Sequence, residues 1–439
     1  MLIQPLHIKI WQQTWPMTLG VAALLGFYLV DSLFIARLGT EPLAAQAFTL
    51  PLTLLMIGLQ VGIGIAQAAL ISRALGAGEI QRAQRLSTLI LIGGSLTTAI
   101  MCALLWWLHP LLFPLLGADQ ELMSLITPYW AVQVVVIWLS SLVYFGYSLF
   151  RAHGNTRVPG IIMLLTSLLN LIFDPLLIFG IGPFPALGLT GAAWASLIAF
   201  ILSGSVLALL LARQRWLTAD GLLAELRQTI RPFMAIAGPA MLSQLMPPLA
   251  AMLATAMVAT AGTNAVAAWG LITRIEGIML VMVLAMTMAL PPWLGRCFGA
   301  GDWQQIRRVM IASGQMIIVI QALLGITVML MATPLSQWLV TDPEVQSYLA
   351  SLLRWVPISY MLLGICMLVV SASNALGWPL RAMAASFARL FVCYLPLLAL
   401  GLWLDGLHGA AIGAAAGNVL AGLMAWRLYQ YSLQARMAP

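Results

Sequence analysis

The chain has 439 residues, of which 62% are apolar and only 8% charged. A soluble domain carries roughly 25% charged residues, so this chain could not cover itself in water and is built for hydrocarbon. The net charge of +7 would suit a nucleic-acid partner, but its distribution along the chain argues against one. Enzyme chemistry is not expected either, because no Gly-rich phosphate loop, HExxH helix or nucleophile elbow appears. The four cysteines, Cys102, Cys297, Cys366 and Cys393, lie unpaired in apolar stretches and read as small hydrophobes.

A bilayer-crossing helix needs about 20 mostly apolar residues. Twelve such spans follow in chain order, near 14–36, 45–72, 87–108, 125–149, 159–180, 189–211, 233–259, 266–295, 309–332, 346–371, 382–401 and 410–432. The first passes straight into a polar turn and reads as a retained helix, not a cleaved signal. Alternate connections hold Arg73, Arg82, Arg85, Arg151, Arg157, Arg213, Arg215, Arg227, Arg231, Arg296, Arg307, Arg308 and Arg381. With Lys9, Arg427 and Arg436, that face carries sixteen of the twenty basic residues, and the opposite connections hold only Arg37. Such a bias places the basic face and both termini in the cytoplasm. A bacterial inner-membrane location is expected, with the lipid bilayer as the partner and no nucleic acid. Arg274, Arg354 and Arg389 fall within or at the edge of spans, where snorkelling is the default.

The chain repeats itself. Moved back by 223 positions, Pro239 falls on Pro16, Gly262 on Gly39, Ala267 on Ala44 and Gly377 on Gly154, while the GAGD at 299–302 falls on the GAGE at 76–79. With a small shift, GLHGAA at 406–411 resembles GLTGAA at 188–193. The expected fold is therefore an all-α membrane protein, with twelve transmembrane helices in two pseudo-symmetric six-helix bundles. The N-lobe is expected over 1–211, a cytoplasmic inter-lobe loop over 212–232, and the C-lobe over 233–439. Transporters built from repeats place their sites at the repeat junction and alternate access by rocking one half against the other. A monomer suffices for this.

Acids inside spans cost roughly 3 kcal/mol each on insertion scales, which makes function the default reading. Three stand out: Asp31, Asp174 and Glu276. Asp31 has Ala254 as its repeat equivalent, so the scaffold alone does not demand it. Asn170 precedes Asp174 by four residues and shares its helix face; Pro175 follows and removes a backbone donor. Thr190 opens the sixth span. Asp31, Asn170, Asp174 and Thr190 make a set of oxygen ligands suited to Na⁺, and two carboxylates in a low dielectric equally favour a bound H⁺. A network that only pins helices together is the structural alternative. Pro16 is either an ordinary proline at a helix start or a hinge for the Asp31 helix. Glu276, Arg274 and Tyr28 are the candidate cleft-lining residues. Glu276 would attract cationic substrates or balance Arg274. No organic cofactor is expected; the coupling ion is H⁺ or Na⁺.

WPMTLG at 15–20, VDSLFIARLG at 30–39, the twin GAGE and GAGD turns, RAHGNTRVP at 151–159, NLIFDPLLIFG at 170–180 and GLTGAAWAS at 188–196 together resemble the multidrug and toxic compound extrusion (MATE) transporters over essentially the full length. The resemblance implies efflux of amphipathic, often cationic drugs against an inward H⁺ or Na⁺ gradient. It is similar to the branch whose ion site lies in the N-lobe, and there implies that Asp31, Asn170, Asp174 and Thr190 form the site and that Pro16 bends the first helix. The other branch carries acids in the seventh and tenth spans, where 233–259 and 346–371 have none. A flippase for a lipid-linked oligosaccharide is the alternative of similar architecture; it would call for a strongly basic cavity, and in-membrane arginines are few.

Overall fold

In lipid every backbone N–H and C=O must be satisfied within its own segment, which leaves helices as the economical solution for long apolar runs. A computed structural model describes residues 5–437, and among them every regular element is helical. The elements are α1 (Leu6–Ala36), α2 (Thr40–Gly76), α3 (Ile80–Leu115), α4 (Gln120–Ala152), α5 (Arg157–Phe179), α6 (Gly188–Ala212), α7 (Leu222–Ala259), α8 (Thr263–Met279), α9 (Val281–Ala289), α10 (Pro291–Gly299), α11 (Trp303–Leu330), α12 (Ala332–Leu339), α13 (Pro343–Ala375), α14 (Pro379–Phe387), a π-helical stretch (Ala388–Tyr394) and α15 (Leu395–Met437). Eleven helical segments among the described residues are long and apolar enough to cross a membrane. The last of them, Pro379–Arg436, is 58 residues long, enough for two crossings, and is broken within α15 at Asp405 (φ −148°) and Gly406 (φ 53°, ψ −140°).

The internal repeat is written into the helix limits. The limits of α4, 120–152, moved by 223 positions are those of α13, 343–375. The limits of α2, 40–76, moved likewise span α8 to α10, 263–299. Three glycine pairs of the repeat turn the chain between helices in the left-handed region: Gly39 and Gly262 (φ 121° and 106°), Gly78 and Gly301 (79° and 72°), Gly154 and Gly377 (86° and 80°). A Cβ is strained there, so the residue type is held where lipid-facing side chains are free to drift. Asp119 and its equivalent Asp342 both cap helices, accepting from Leu122 N at 2.8 Å and from Glu344 N at 2.9 Å.

Two compact units emerge. One comprises Pro16–Met241; the other comprises the residues up to Trp15 together with those from Leu242 onward. Both divisions fall inside helices, α1 and α7, within three residues of the equivalent prolines Pro16 and Pro239. In the first unit, Phe113 meets Trp130 edge-on at 5.4 Å, and Ser148 Oγ donates to Gly64 O at 2.7 Å where α4 crosses α2. In the second, α13 is the central element, with Leu349, Leu352, Leu353 and Tyr360 fully buried. Small residues let the two arms of the α14–α15 hairpin close together: a Cβ on Gly417 would lie 2.8 Å from Tyr394 Cα.

Several expectations need correction. The segment 212–232 is not a loop throughout, since α7 starts at Leu222. Its first turns are anchored by the buried Glu225, which accepts from Arg82 Nε at 3.2 Å and from Thr229 Oγ1 at 2.9 Å. Pro16 does not open its helix: α1 begins at Leu6, ten residues earlier, and its polar start hid those turns from a hydropathy reading. The eighth span is three helices, interrupted at Leu280 and Leu290, the second break coinciding with Pro291. The carbonyl of Met279 freed at the first break accepts from Gln321 Nε2 at 2.9 Å. The eleventh span passes through the π-helical stretch.

Candidate functional site

Within the unit Pro16–Met241, α5 carries a polar stripe at helical spacing: Thr166, Asn170 and Asp174. All three side chains are buried. The two ends of the stripe are treated differently. Asn170 is satisfied, its Nδ2 donating to Thr166 O at 2.9 Å and its Oδ1 accepting from Ser196 Oγ at 3.0 Å. Asp174 is fully buried, and neither carboxylate oxygen has a hydrogen-bond partner among the described residues. A buried polar atom left unpaired costs roughly 1–3 kcal/mol, and more when charged. Buried polar groups are otherwise nearly always paired, so an unpaired carboxylate is a place where a proton or a hard cation fits.

Asp31 reaches the same place from α1. Its half-buried carboxylate is close enough to act on the charge of Asp174. Its protein hydrogen bond comes from Gln46 Nε2, at a long 3.4 Å. Tyr28 and Tyr129 also lie within electrostatic range of Asp31. Thr190 stands at the first turn of α6, where α6 touches α5: a Cβ on the adjacent Gly191 would lie 2.6 Å from Leu177 C, one turn beyond Asp174. The helix carrying Asp31 is seated on α5 through glycines. Gly20 faces the Gly160 backbone, and a Cβ on Gly160 would come within 2.6 Å of Pro16 C and closer to its oxygen.

Not every candidate joins this cluster. Tyr28 does, through Asp31, although its ring is half-exposed. Glu276 and Arg274 belong to the other unit. Arg274 is exposed, and the ion pairs among the described residues are those of Arg82 with Glu79 and Glu225, so Glu276 does not pair with it. Glu276 instead accepts from Tyr360 Oη at 3.1 Å, with Arg389 in electrostatic range. Arg389, expected to snorkel, instead has a buried Nε without a hydrogen-bond partner among the described residues, and Ser196 and Gln46 escaped the reading of the sequence. Each is a polar side chain inside an apolar span, which was the available signal.

The MatE family matches residues 16–176 and again 239–400, the second match starting 223 positions after the first. The chain belongs to the MatE family. It is a transporter and a multi-pass membrane protein, not an enzyme. The FAD transporter of Shewanella oneidensis is 36% identical over 421 residues, covering 94% of this chain and 92% of that protein. The probable multidrug resistance protein YoeA of Bacillus subtilis is 23% identical over 367 residues, covering 80% and 78%. Among solved structures, the Vibrio cholerae MATE transporter VcmN in the bent form superimposes with a TM-score of 0.94 at 44% identity, covering 98% of each chain. The twelve-helix, two-bundle fold follows from these matches.

Proposed function

We propose that the chain is a secondary active antiporter that exports amphipathic or cationic small molecules in exchange for H⁺ or Na⁺ by alternating access. The observation that carries this reading is the partnerless buried carboxylate of Asp174 beside Asp31. Loading one monovalent ion from outside removes one negative charge from a pair of acids that otherwise share oil; releasing the ion inside restores that charge. Asp31, Asp174 and Thr190 supply oxygens free to hold the ion, and the second lone pair of Asn170 Oδ1 remains after Ser196 has bonded to it. This arrangement supports assigning the chain to the N-lobe-site branch of the family. Pro16, interior to α1 and at the edge of a compact unit, is the hinge through which ion loading bends the Asp31 helix. The basic face lies in the cytoplasm of a bacterial inner membrane, with both termini on that side.

The test is efflux of a fluorescent cation from proteoliposomes under separate pH and Na⁺ gradients. Asp31→Asn and Asp174→Asn are each expected to abolish gradient-driven transport while leaving substrate binding. Full efflux by either variant refutes the assignment. A second reading of the cargo is favoured by the 36% identity to a protein named an FAD transporter: the exported molecule is a flavin. Riboflavin and FAD uptake into everted vesicles decides between the two.

A further inference from the structure

The second unit holds a cluster that the coupling site does not use. Glu276 lies on the last turn of α8, three residues before that helix breaks off at Met279. One carboxylate oxygen accepts from Tyr360 Oη at 3.1 Å, the hydrogen bond that Glu276 receives among the described residues. Tyr360 is fully buried on α13. Arg389 sits in the π-helical stretch, in electrostatic range of both Glu276 and Tyr394. It forms no ion pair and no hydrogen bond among the described residues, and its Nε is buried. An arginine in an apolar span that bonds to nothing is expensive. A π-helical turn is also disfavoured in a helix interior and is found chiefly at functional sites.

The charges select the ligand. An open carboxylate oxygen wants an N–H, and an open guanidinium fork wants a carbonyl or an anion. They share one neighbourhood without closing on each other. A metal cation is opposed there by Arg389, and a phosphate is opposed by Glu276. A neutral edge with an N–H beside a C=O satisfies both. Resting on the flavin reading above, we propose that Glu276 and Arg389 recognise the imide edge of a flavin ring, Glu276 accepting the ring N3–H and Arg389 donating to a flanking carbonyl. Tyr394, half-exposed beside them, offers an aromatic face to the ring.

The experiment is a fluorescence-quenching titration of the purified full-length chain with riboflavin and with N3-methylriboflavin. Wild type is expected to bind the methylated ring about 10- to 100-fold more weakly, as loss of a hydrogen bond to a charged group implies. Glu276→Gln and Arg389→Lys are expected to weaken riboflavin binding by a similar factor, and Glu276→Gln, which alters the group facing N3, to reduce the discrimination between the two ligands. Retained ethidium binding in both variants shows that they are folded. The comparison of the two ligands on wild type needs no variant at all. Equal binding of both rings by wild type, undiminished discrimination in Glu276→Gln, or undiminished riboflavin affinity in Arg389→Lys overturns the imide site and leaves the flavin reading standing. No riboflavin binding by wild type overturns both.

Discussion

The seating of α1 on α5 gives the sharpest prediction. At Gly160 a methyl group would come to 2.6 Å from the Pro16 carbonyl carbon and nearer still to its oxygen. The opposing atoms are backbone, so no rotamer change relieves the clash; α1 must withdraw by an amount on the order of 1 Å. Overpacking of this kind costs about 1–3 kcal/mol. It also moves Asp31 away from the stripe on α5, at the helix that the coupling cycle is proposed to bend. Gly160→Ala is therefore expected to lower the thermal midpoint measured by fluorescence-detected size exclusion and to reduce gradient-driven efflux by about tenfold or more. Gly26→Ala is the matched control, because a Cβ there meets nothing within 4 Å. In mid-helix that change stabilises by about 0.5–1 kcal/mol. A Gly160→Ala protein with the wild-type midpoint and wild-type efflux would refute the idea that these glycines hold the Asp31 helix in place.

Other outcomes follow from the same geometry. Gly78→Ala and Gly301→Ala, at equivalent turns with φ of 79° and 72° and open space around both, should each cost about 1–2 kcal/mol through backbone strain alone. Thermal unfolding of the two variants should shift by similar amounts. Gln321→Leu removes the donor to the Met279 carbonyl at the break between α8 and α9 and should destabilise by about 1–3 kcal/mol, read by the same assay. Thr229→Val deletes a 2.9 Å hydrogen bond to the buried Glu225; a loss of about 1.5–3 kcal/mol is expected, with ion coupling in proteoliposomes unchanged.

The scaffold was readable because hydrocarbon allows so few solutions. Apolar runs had to be helices, and the repeat showed through at Gly39, Gly78 and Gly154 because left-handed backbone admits little else. Hydropathy is blind to interruptions, however. Residues 266–295 are apolar enough to read as one span, yet α8, α9 and α10 divide them, and nothing in composition marks Leu280 as a break. The start of α1 failed in the opposite sense: LHIKIWQQTW is too polar to count as a span, so Pro16 looked like a helix opening when it lies ten residues inside. At the site, Asp31 and Asp174 stood out as charges in oil. Their neighbours Gln46 and Ser196 are ordinary polar residues whose importance lies in what they touch across helices, and a one-dimensional pattern does not carry that.

The repeat also explains how one chain can carry two different chemistries. The polar stripe of α5 begins at Thr166 and Asn170; moved by 223 positions, these become Arg389 and Cys393, in the π-helical stretch. Asp31 becomes the buried Ala254 and Asp174 becomes Leu397. The same register on equivalent helices is thus acidic in one unit and basic in the other. Two acidic copies would compete for the coupling ion, whereas a basic copy repels it. The ion is then confined to the unit Pro16–Met241, and the equivalent position in the second unit is free to select the cargo. On this logic Arg389→Thr, which restores the residue of the first unit, should weaken flavin recognition without altering ion dependence. A change in ion coupling from that substitution alone would mean that the two chemistries are not divided between the units.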